Sequence, residues 1–588
     1  MKQFLKFVLA TIVAIIITGV LIIVIIIGVI SVSGDKTVDV ESNSILQIKL
    51  NYPITERTPH NPLSGLNFLG IDGDKSIGLN DILANIKKAK TDSNIKGIFL
   101  DEGTLTSGQA TTEEIRNALL NFKTSGKFII AYSEIYTQNF YYLASVADKV
   151  YINPKGIFLF HGFSSQITFL KGALDKLGIE AQIIKVGTYK SAVEPFFLTK
   201  MSDANRLQVN SYLGSLYDQF LTGISTSRKI NKDTLFNYAN ELKIRSPDDA
   251  LKFKLVDGLK YKDEVLNELK QRTGTELKED LKNVELSDYT SSVSSKEDDK
   301  KGSGNKIAII YASGEINGGE SDDNGIGSER VSKALRRVRL DDKVKAVVFR
   351  VNSPGGSSLA SDVIWREVML TKKAKPIVVS MGDYAASGGY YIACAADSII
   401  AEPNTITGSI GIFAILPNLQ KLLNDKLGIT FDGVKTGKYA DLGDVTRPLT
   451  PDEKAILQTQ VNQGYDDFTK AVANGRHKTQ AYINSIGQGR VWTGAQAIKI
   501  GLVDRLGNIN DAVRSAAKMA KLKSYNLVAY PEQKSFLNKL GLGASDQIKT
   551  NLIRSELGSN YKYYEQIKGV IEMMRTPQAR MPYDVVIN

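Results

Sequence analysis

Cysteine occurs once in this 588-residue chain, at Cys394. A single thiol excludes an intrachain disulfide and a cysteine-based zinc site. It follows Tyr390-Tyr391 in an apolar segment, which reads as a buried structural thiol. Histidine is nearly as scarce: His60, His161 and His477 are all there is. No two of them stand four apart, so a helical two-histidine metal site is excluded. Neither a metal nor another cofactor is expected. Charge of one sign is only mildly in excess, with 74 Lys and Arg against 63 Asp and Glu, net +11. No dense basic stripe with interleaved aromatics occurs, which argues against nucleic acid as a partner. The excess suits an anionic membrane surface. Long apolar runs are missing too, with one exception.

That exception is the segment from Phe7 to Ile30, preceded by Lys2 and Lys6. As a helix its 24 residues span roughly 36 Å, enough for a hydrocarbon core of about 30 Å. A cleaved leader has a shorter apolar region and a small-residue cleavage site. The run therefore reads as an uncleaved transmembrane anchor over residues 1–31, with lipid as its partner. The two lysines place its N-terminus in the cytoplasm. Everything beyond then lies on the outer, periplasmic side of a bacterial cytoplasmic membrane.

The remaining chain is too long for one core, and it repeats itself. YYLASVADKVYINP at 141–154 returns as YYIACAADSIIAEP at 390–403, 249 residues on. The same shift aligns Ile95–Phe99 with Val344–Val348 and Gly162 with Gly411. Leu255-Val256-Asp257 returns as Leu502-Val503-Asp504. The reading is a duplicated domain, over 45–285 and 307–535. A polar linker over 286–306 separates the copies. A mainly helical tail over 536–588 follows. Within each copy, β-branched runs such as KVKAVVFRV and KPIVVSM alternate with amphipathic stretches such as LASDVIWREVMLTKKA. That alternation predicts α/β domains with parallel sheets and right-handed crossovers.

Duplicated domains share what the fold needs, so a residue kept in one copy only is a candidate for chemistry. Ser387, in GDYAASGGYYIA, faces Gln138; Gly388 and Gly389 face Asn139 and Phe140. The fold tolerates bulk there, so the glycines of the second copy are not a folding requirement. In VGTYKSA, Lys190 faces Ala440 of TGKYADL at a shift of 250. Serine survives in one half and lysine in the other. NSPGGSS at 352–358 follows a strand and opens a helix, leaving backbone N–H groups bare at the helix start. The first copy has Thr106-Ser107 there, with no glycine pair.

Together these parts describe one composite site. A serine hydroxyl is a poor nucleophile until a base takes its proton. A lysine serves only when neutral, and burial in an apolar site lowers its pKa as required. Ser387 is the expected nucleophile and Lys190 the expected base. The N–H groups of Gly356 and Gly388 are the expected oxyanion donors, each worth about 3–4 kcal/mol of barrier.

The whole chain resembles the signal peptide peptidase A (protease IV) family in its long two-domain form. The resemblance rests on the apolar segment 7–30, VGTYKSAVEPF at 186–196, VNSPGG at 351–356, MGDYAASGGYYIA at 381–393, TGSIGIF at 407–413 and GRVWTGAQAIKIGLVD at 489–504. It implies a Clp-protease/crotonase-like fold in each half and a Ser/Lys dyad at Ser387 and Lys190. It implies that Ser409 orients the lysine. It further implies a ring-like or bowl-shaped homo-oligomer, a tetramer, acting on apolar peptides such as signal-peptide remnants.

Two other readings stay open from the residues alone. A crotonase-type acyl-CoA enzyme also uses glycine N–H groups for an oxyanion, and retention or turnover of CoA marks it. A non-catalytic membrane scaffold fits the degenerate first copy, and failure to react with a serine-directed probe marks that.

Overall fold

Two parallel sheets with the same strand order, one per copy, carry the computed structural model. It describes residues 2–32, 38–59, 76–101, 103–292, 304–321, 323, 325–533, 553, 556 and 577–581. In the first copy the order is Gly258–Leu259, Lys149–Phe158, Phe128–Tyr136, Ile95–Asp101, Ser44–Ile48, Asn283–Glu285, every pair parallel. In the second it is Arg505–Leu506, Ser398–Ala401, Ile377–Ala386, Val344–Ser353, Lys306–Ser313, Asn526–Tyr530, again parallel, and two further strands branch from Ile377–Ala386: Ile406–Gly408, parallel to it, and Val491–Thr493, antiparallel to Ile406–Gly408. Alternate strand residues feed different cores. Leu46, Ile98 and Leu100 join one cluster, while Ile45, Phe99 and Ile130 join another. Both faces are therefore buried, as the near-continuous apolar runs require.

The copies share hydrogen bonds as well as topology. Tyr141 Oη donates to Leu255 O at 2.8 Å, and Tyr390 Oη donates to Leu502 O at 2.8 Å. Asp148 accepts from Ile129 N, as Asp397 does from Ile377 N. Asp257 accepts from Val150 N, as Asp504 does from Ile399 N. These matched pairs are what the repeated sequence preserves. Cys394 is wholly buried in the second core, where burial pushes its thiol up to about 12.

The linker and tail differ from the sequence reading. Leu286–Thr290 is a short helix whose Leu286 and Tyr289 are buried in the first core, so that copy runs past 285. Residues 293–303 of the linker lie outside the described residues. So does most of the tail, but within it Gln578–Arg580 is a strand, not a helix. A helix covers Lys2–Val32, with side chains described only as far as Leu21. Among the described residues no helix is long and apolar enough to cross a membrane.

A third, mixed sheet joins the copies, in the order Ile326–Gly327, Ile316–Asn317, Gly355–Ser357, Gln578–Arg580, Phe413–Asn418, Glu180–Lys185. Glu180–Lys185 of the first copy runs antiparallel to Phe413–Asn418 of the second, from Lys185 opposite Phe413 to Glu180 opposite Asn418. The copies are also tied by Arg350, which is wholly buried. Its Nε lies 2.8 Å from Glu56 and its Nη1 2.7 Å from Glu114. Removing one partner from such a contact leaves uncompensated buried charge. Arg350→Ala is expected to lower the unfolding free energy by about 3–5 kcal/mol. Urea unfolding checks it, and a loss below about 1 kcal/mol would refute the role.

Candidate active site

The strand Ile377–Ala386 ends at Ser387, which caps the helix Gly388–Ala393. Ser387 takes φ +54°, a backbone region few side chains enter. The strain is held by two bonds: Ser387 N donates to Gly408 O at 2.8 Å, and Tyr391 N donates to Ser387 O at 2.8 Å. The sharp turn brings the hydroxyl to the end of the strand, facing the joint between the copies.

Lys190 arrives from the first copy. The ladder between Glu180–Lys185 and Phe413–Asn418 continues through Val186 N to Ile412 O at 3.1 Å. Tyr189 N then donates to Gln488 O at 2.8 Å, which turns the chain inward. Lys190 Nζ ends 2.9 Å from Ser387 Oγ. It also lies 3.2 Å from both the carbonyl and the hydroxyl oxygen of Ser409. Lys190, Ser387 and Ser409 are all at 0% exposure. The structure thus brings together the three side chains named from sequence, across a separation of 197 residues for the first pair.

The electrostatics of this contact are simple. Burial alone drives the Lys190 pKa well below its ordinary value. No ion pair to a carboxylate holds the charge among the described residues, and the Phe413 ring lies 5.8 Å away. A neutral amine has two N–H donors and one lone pair. With both donors spent on Ser409, the lone pair is left for the Ser387 hydroxyl proton. Ser409 itself sits at φ +50°, its N–H given to Arg490 O at 2.7 Å.

The two glycines stand where close approach demands them. A Cβ on Gly356 would lie 2.1 Å from Ile316 O, and one on Gly388 would lie 2.6 Å from Ser361 Oγ. The sequence reading placed Gly355-Gly356 at a helix start. They form instead the short strand Gly355–Ser357, and the helix begins at Ser358. The reason is lateral pairing: Ile316 lies opposite Gly356 on one side and Ala579 on the other.

Two positioning elements escaped the sequence reading. Gln208 is fully buried; its amide donates to Tyr189 O at 3.0 Å and Ser191 Oγ at 2.8 Å, and its carbonyl accepts from Val491 N at 3.2 Å. It fastens the lysine loop of one copy to a strand of the other. Gly489, at φ +79°, leaves room for the lysine backbone, since a Cβ there would lie 2.6 Å from Lys190 N. The Gly-Gln-Gly run at 487–489 was the available signal. Neither His161 nor His477, the histidines among the described residues, takes part in the contact. His161 lines a separate cavity of about 710 Å³ beside Gln138, walled also by Asp383, Tyr384 and Asn404 of the second copy, and none of the residues lining it is a lysine. There the Gln138 carboxamide closes on the loop that would face a nucleophile, accepting from His161 N and Gly162 N and donating to Gly162 O.

Comparison with known proteins gives the family. The family model described as Peptidase family S49 matches residues 121–276 and 369–523, once in each copy. The chain is 40% identical over 485 residues to "Protease 4" of Salmonella typhi, spanning 81% of this chain and 77% of that one. It is 35% identical over 503 residues to "Protease 4" of Haemophilus influenzae, spanning 83% and 81%. It is 33% identical over 516 residues to "Serine protease SPPA, chloroplastic" of Arabidopsis thaliana, spanning 86% and 74%.

Proposed function

From the premise that this chain belongs to peptidase family S49 and is a serine peptidase, we propose that Ser387 is its nucleophile and Lys190 its general base. The observation that carries this is the 2.9 Å contact between Ser387 Oγ and a wholly buried lysine with no carboxylate partner among the described residues. Lys190 Nζ takes the Ser387 proton as Oγ attacks the substrate carbonyl carbon. The N–H groups of Gly356 and Gly388 hold the oxygen as it gains charge. The lysine returns the proton to the departing amine, leaving an acyl-serine. Water then attacks the acyl carbon and gives its proton to Lys190, which passes it to Ser387 Oγ as the acyl–oxygen bond breaks and the acid leaves. Ser409 fixes the amine throughout.

The proposal extends to place and partners. The apolar run Phe7–Ile30 is the membrane anchor, a reading carried by its sequence, with its N-terminus inside and both copies on the outer side. Phe7, Leu9 and Ile15 on it are more than 60% exposed, as lipid-facing side chains would be. The chain works as a homo-oligomer, a tetramer by the family resemblance. Support comes from the second-copy segment after Asn418, where Leu427, Phe431 and Val434 are exposed. Its first-copy counterpart lies against Phe413–Asn418. Substrates are apolar peptides, signal-peptide remnants among them. The test is hydrolysis of a fluorogenic apolar peptide by the detergent-solubilised chain, with acyl-CoA esters as the comparison. Peptide turnover without acyl-CoA turnover is expected; the reverse would overturn the proposal.

A further inference from the structure

A carboxylate follows Lys190 by four residues and forms no ion pair with its amine. It is Glu194, of VGTYKSAVEPF, and it is buried at 1% exposure. Its Oε2 accepts from Ser202 N at 3.2 Å and from Asn205 Nδ2 at 2.9 Å, and its Oε1 accepts from Ser202 Oγ at 2.5 Å. All three donors stand at the start of the helix Asp203–Arg228, which Ser202 caps by accepting from Asn205 N.

From the lysine loop outward, each contact fixes the next. Tyr189 O can only accept and Val491 N can only donate. Gln208 must therefore turn its NH2 toward the lysine loop and its oxygen toward the second copy. Its Nε2 donates to Tyr189 O at 3.0 Å and Ser191 Oγ at 2.8 Å, one on each side of Lys190, and also reaches Asn205 Oδ1 at 3.1 Å. Asn205 thus spends its oxygen on Gln208 and turns its own NH2 away. Position 194 must then supply an acceptor. Asn205 and Gln208 are 1% and 0% exposed, so a lost partner here leaves a buried polar group unpaired. The other end of the relay reaches the nucleophile's strand. Gln208 Oε1 accepts from Val491 N at 3.2 Å, Val491 lies opposite Gly408, and Gly408 O accepts from Ser387 N.

We infer that Glu194 is a positioning residue for Lys190, acting through Asn205 and Gln208. It sets the direction of the amide relay that clasps the backbone on both sides of the base and keeps it in register with Ser387. It does this without giving the amine a counter-charge, because its oxygens face Ser202 and Asn205 instead. The inference rests on the reading of Lys190 as general base. Glutamine at 194 can keep all three contacts, with its oxygen in the Oε2 place and its NH2 donating to Ser202 Oγ. Leucine keeps none.

The test is the rate at which a fluorophosphonate probe labels Ser387 in the full chain, followed against pH at a temperature where each variant is folded. Glu194→Leu is expected to lower the high-pH plateau by about 10- to 100-fold, the scale of a small misplacement of a reacting group. The pH limb should stay where it is, and in peptide hydrolysis the loss should fall on kcat and not on KM. Glu194→Gln should label near the parent rate. Gln208→Met should lower the plateau too, and combining it with Glu194→Leu should cost nothing more, because one residue acts through the other. Losses that multiply would overturn the inference. So would Glu194→Leu at the parent rate, or Glu194→Gln as slow as Glu194→Leu. If Glu194→Leu does not fold, Asn205→Leu breaks the same relay and must show the same plateau loss. Collapse of both would make the network a requirement of the fold and not of the base, which also overturns it. Lys190→Met, run alongside, separates the two readings. Labelling of Lys190→Met at the parent rate would sink the lysine as base and this inference with it. A silent Lys190→Met beside an unaffected Glu194→Leu would sink this inference alone.

Discussion

Lys190→Met should yield a protein that no longer cleaves peptides and is harder to unfold. The catalytic loss is that of a general base, about 10²- to 10⁴-fold in kcat/KM. The gain in stability has a separate cause. Lys190 is buried without a counter-charge, and its pKa in the folded chain lies well below its unfolded value. Between those two values the unfolded chain binds the extra proton, so stability rises with pH across that window. As pH falls from the unfolded value toward the folded one the fold weakens, and below the folded value, where both states carry the proton, the slope ends. Methionine has similar reach and nothing to protonate. The variant should lose this slope and gain about 0.5–2 kcal/mol near neutral pH, the common return for relieving an active-site strain. Thermal unfolding of both proteins across pH measures it. A variant less stable than its parent at every pH would contradict the account.

Ser387→Ala should cost still more. The nucleophile has no substitute in the groove, because the nearest oxygens belong to Ser409, which is bound to the lysine, and to backbone carbonyls. Loss of turnover by roughly 10⁴- to 10⁶-fold is expected, as when a nucleophile is removed from comparable serine sites. The fold should survive, since Gln138 occupies the matching place in the first copy with the same sheet around it. Activity assays paired with unfolding measurements separate the two effects. Retained turnover would mean that another residue attacks.

Much of this was legible in the sequence because the duplicated positions do duplicated work. The Tyr141/Tyr390, Asp148/Asp397 and Asp257/Asp504 pairs make the same bonds in each copy, and identical residue types survived to be aligned. Ser387 and Lys190 stood out for the opposite reason, as each is missing from the other copy. Ser409 faces Phe160 at the 249-residue shift and so was visible that way too, but its role was taken from the family resemblance. What stayed hidden depends on lateral partners. A run such as Glu180–Lys185 shows that it is a strand but not that Phe413–Asn418 is its neighbour. Arg350 looks like any charge in a β-branched run, because Glu56 and Glu114 are distant in sequence. TPQARMPY alternates polar and apolar residues only over Gln578–Met581, and two prolines argue against a strand. It is one only because both flanking edges supply its partners. Gly355-Gly356 was misplaced at a helix start for the same reason.

The central claim, that Lys190 of one copy activates Ser387 of the other, is tested most directly by a fluorophosphonate probe. Its rate of reaction with the full chain would be followed against pH, and the labelled residue located by peptide mapping. Labelling confined to Ser387 is expected. Its rate should rise with pH as Lys190 loses its proton, on a limb well below the ordinary lysine range, and Lys190→Met should abolish it. Labelling of Ser387 in Lys190→Met at the parent rate, with the same pH dependence, would show that the lysine is not the base.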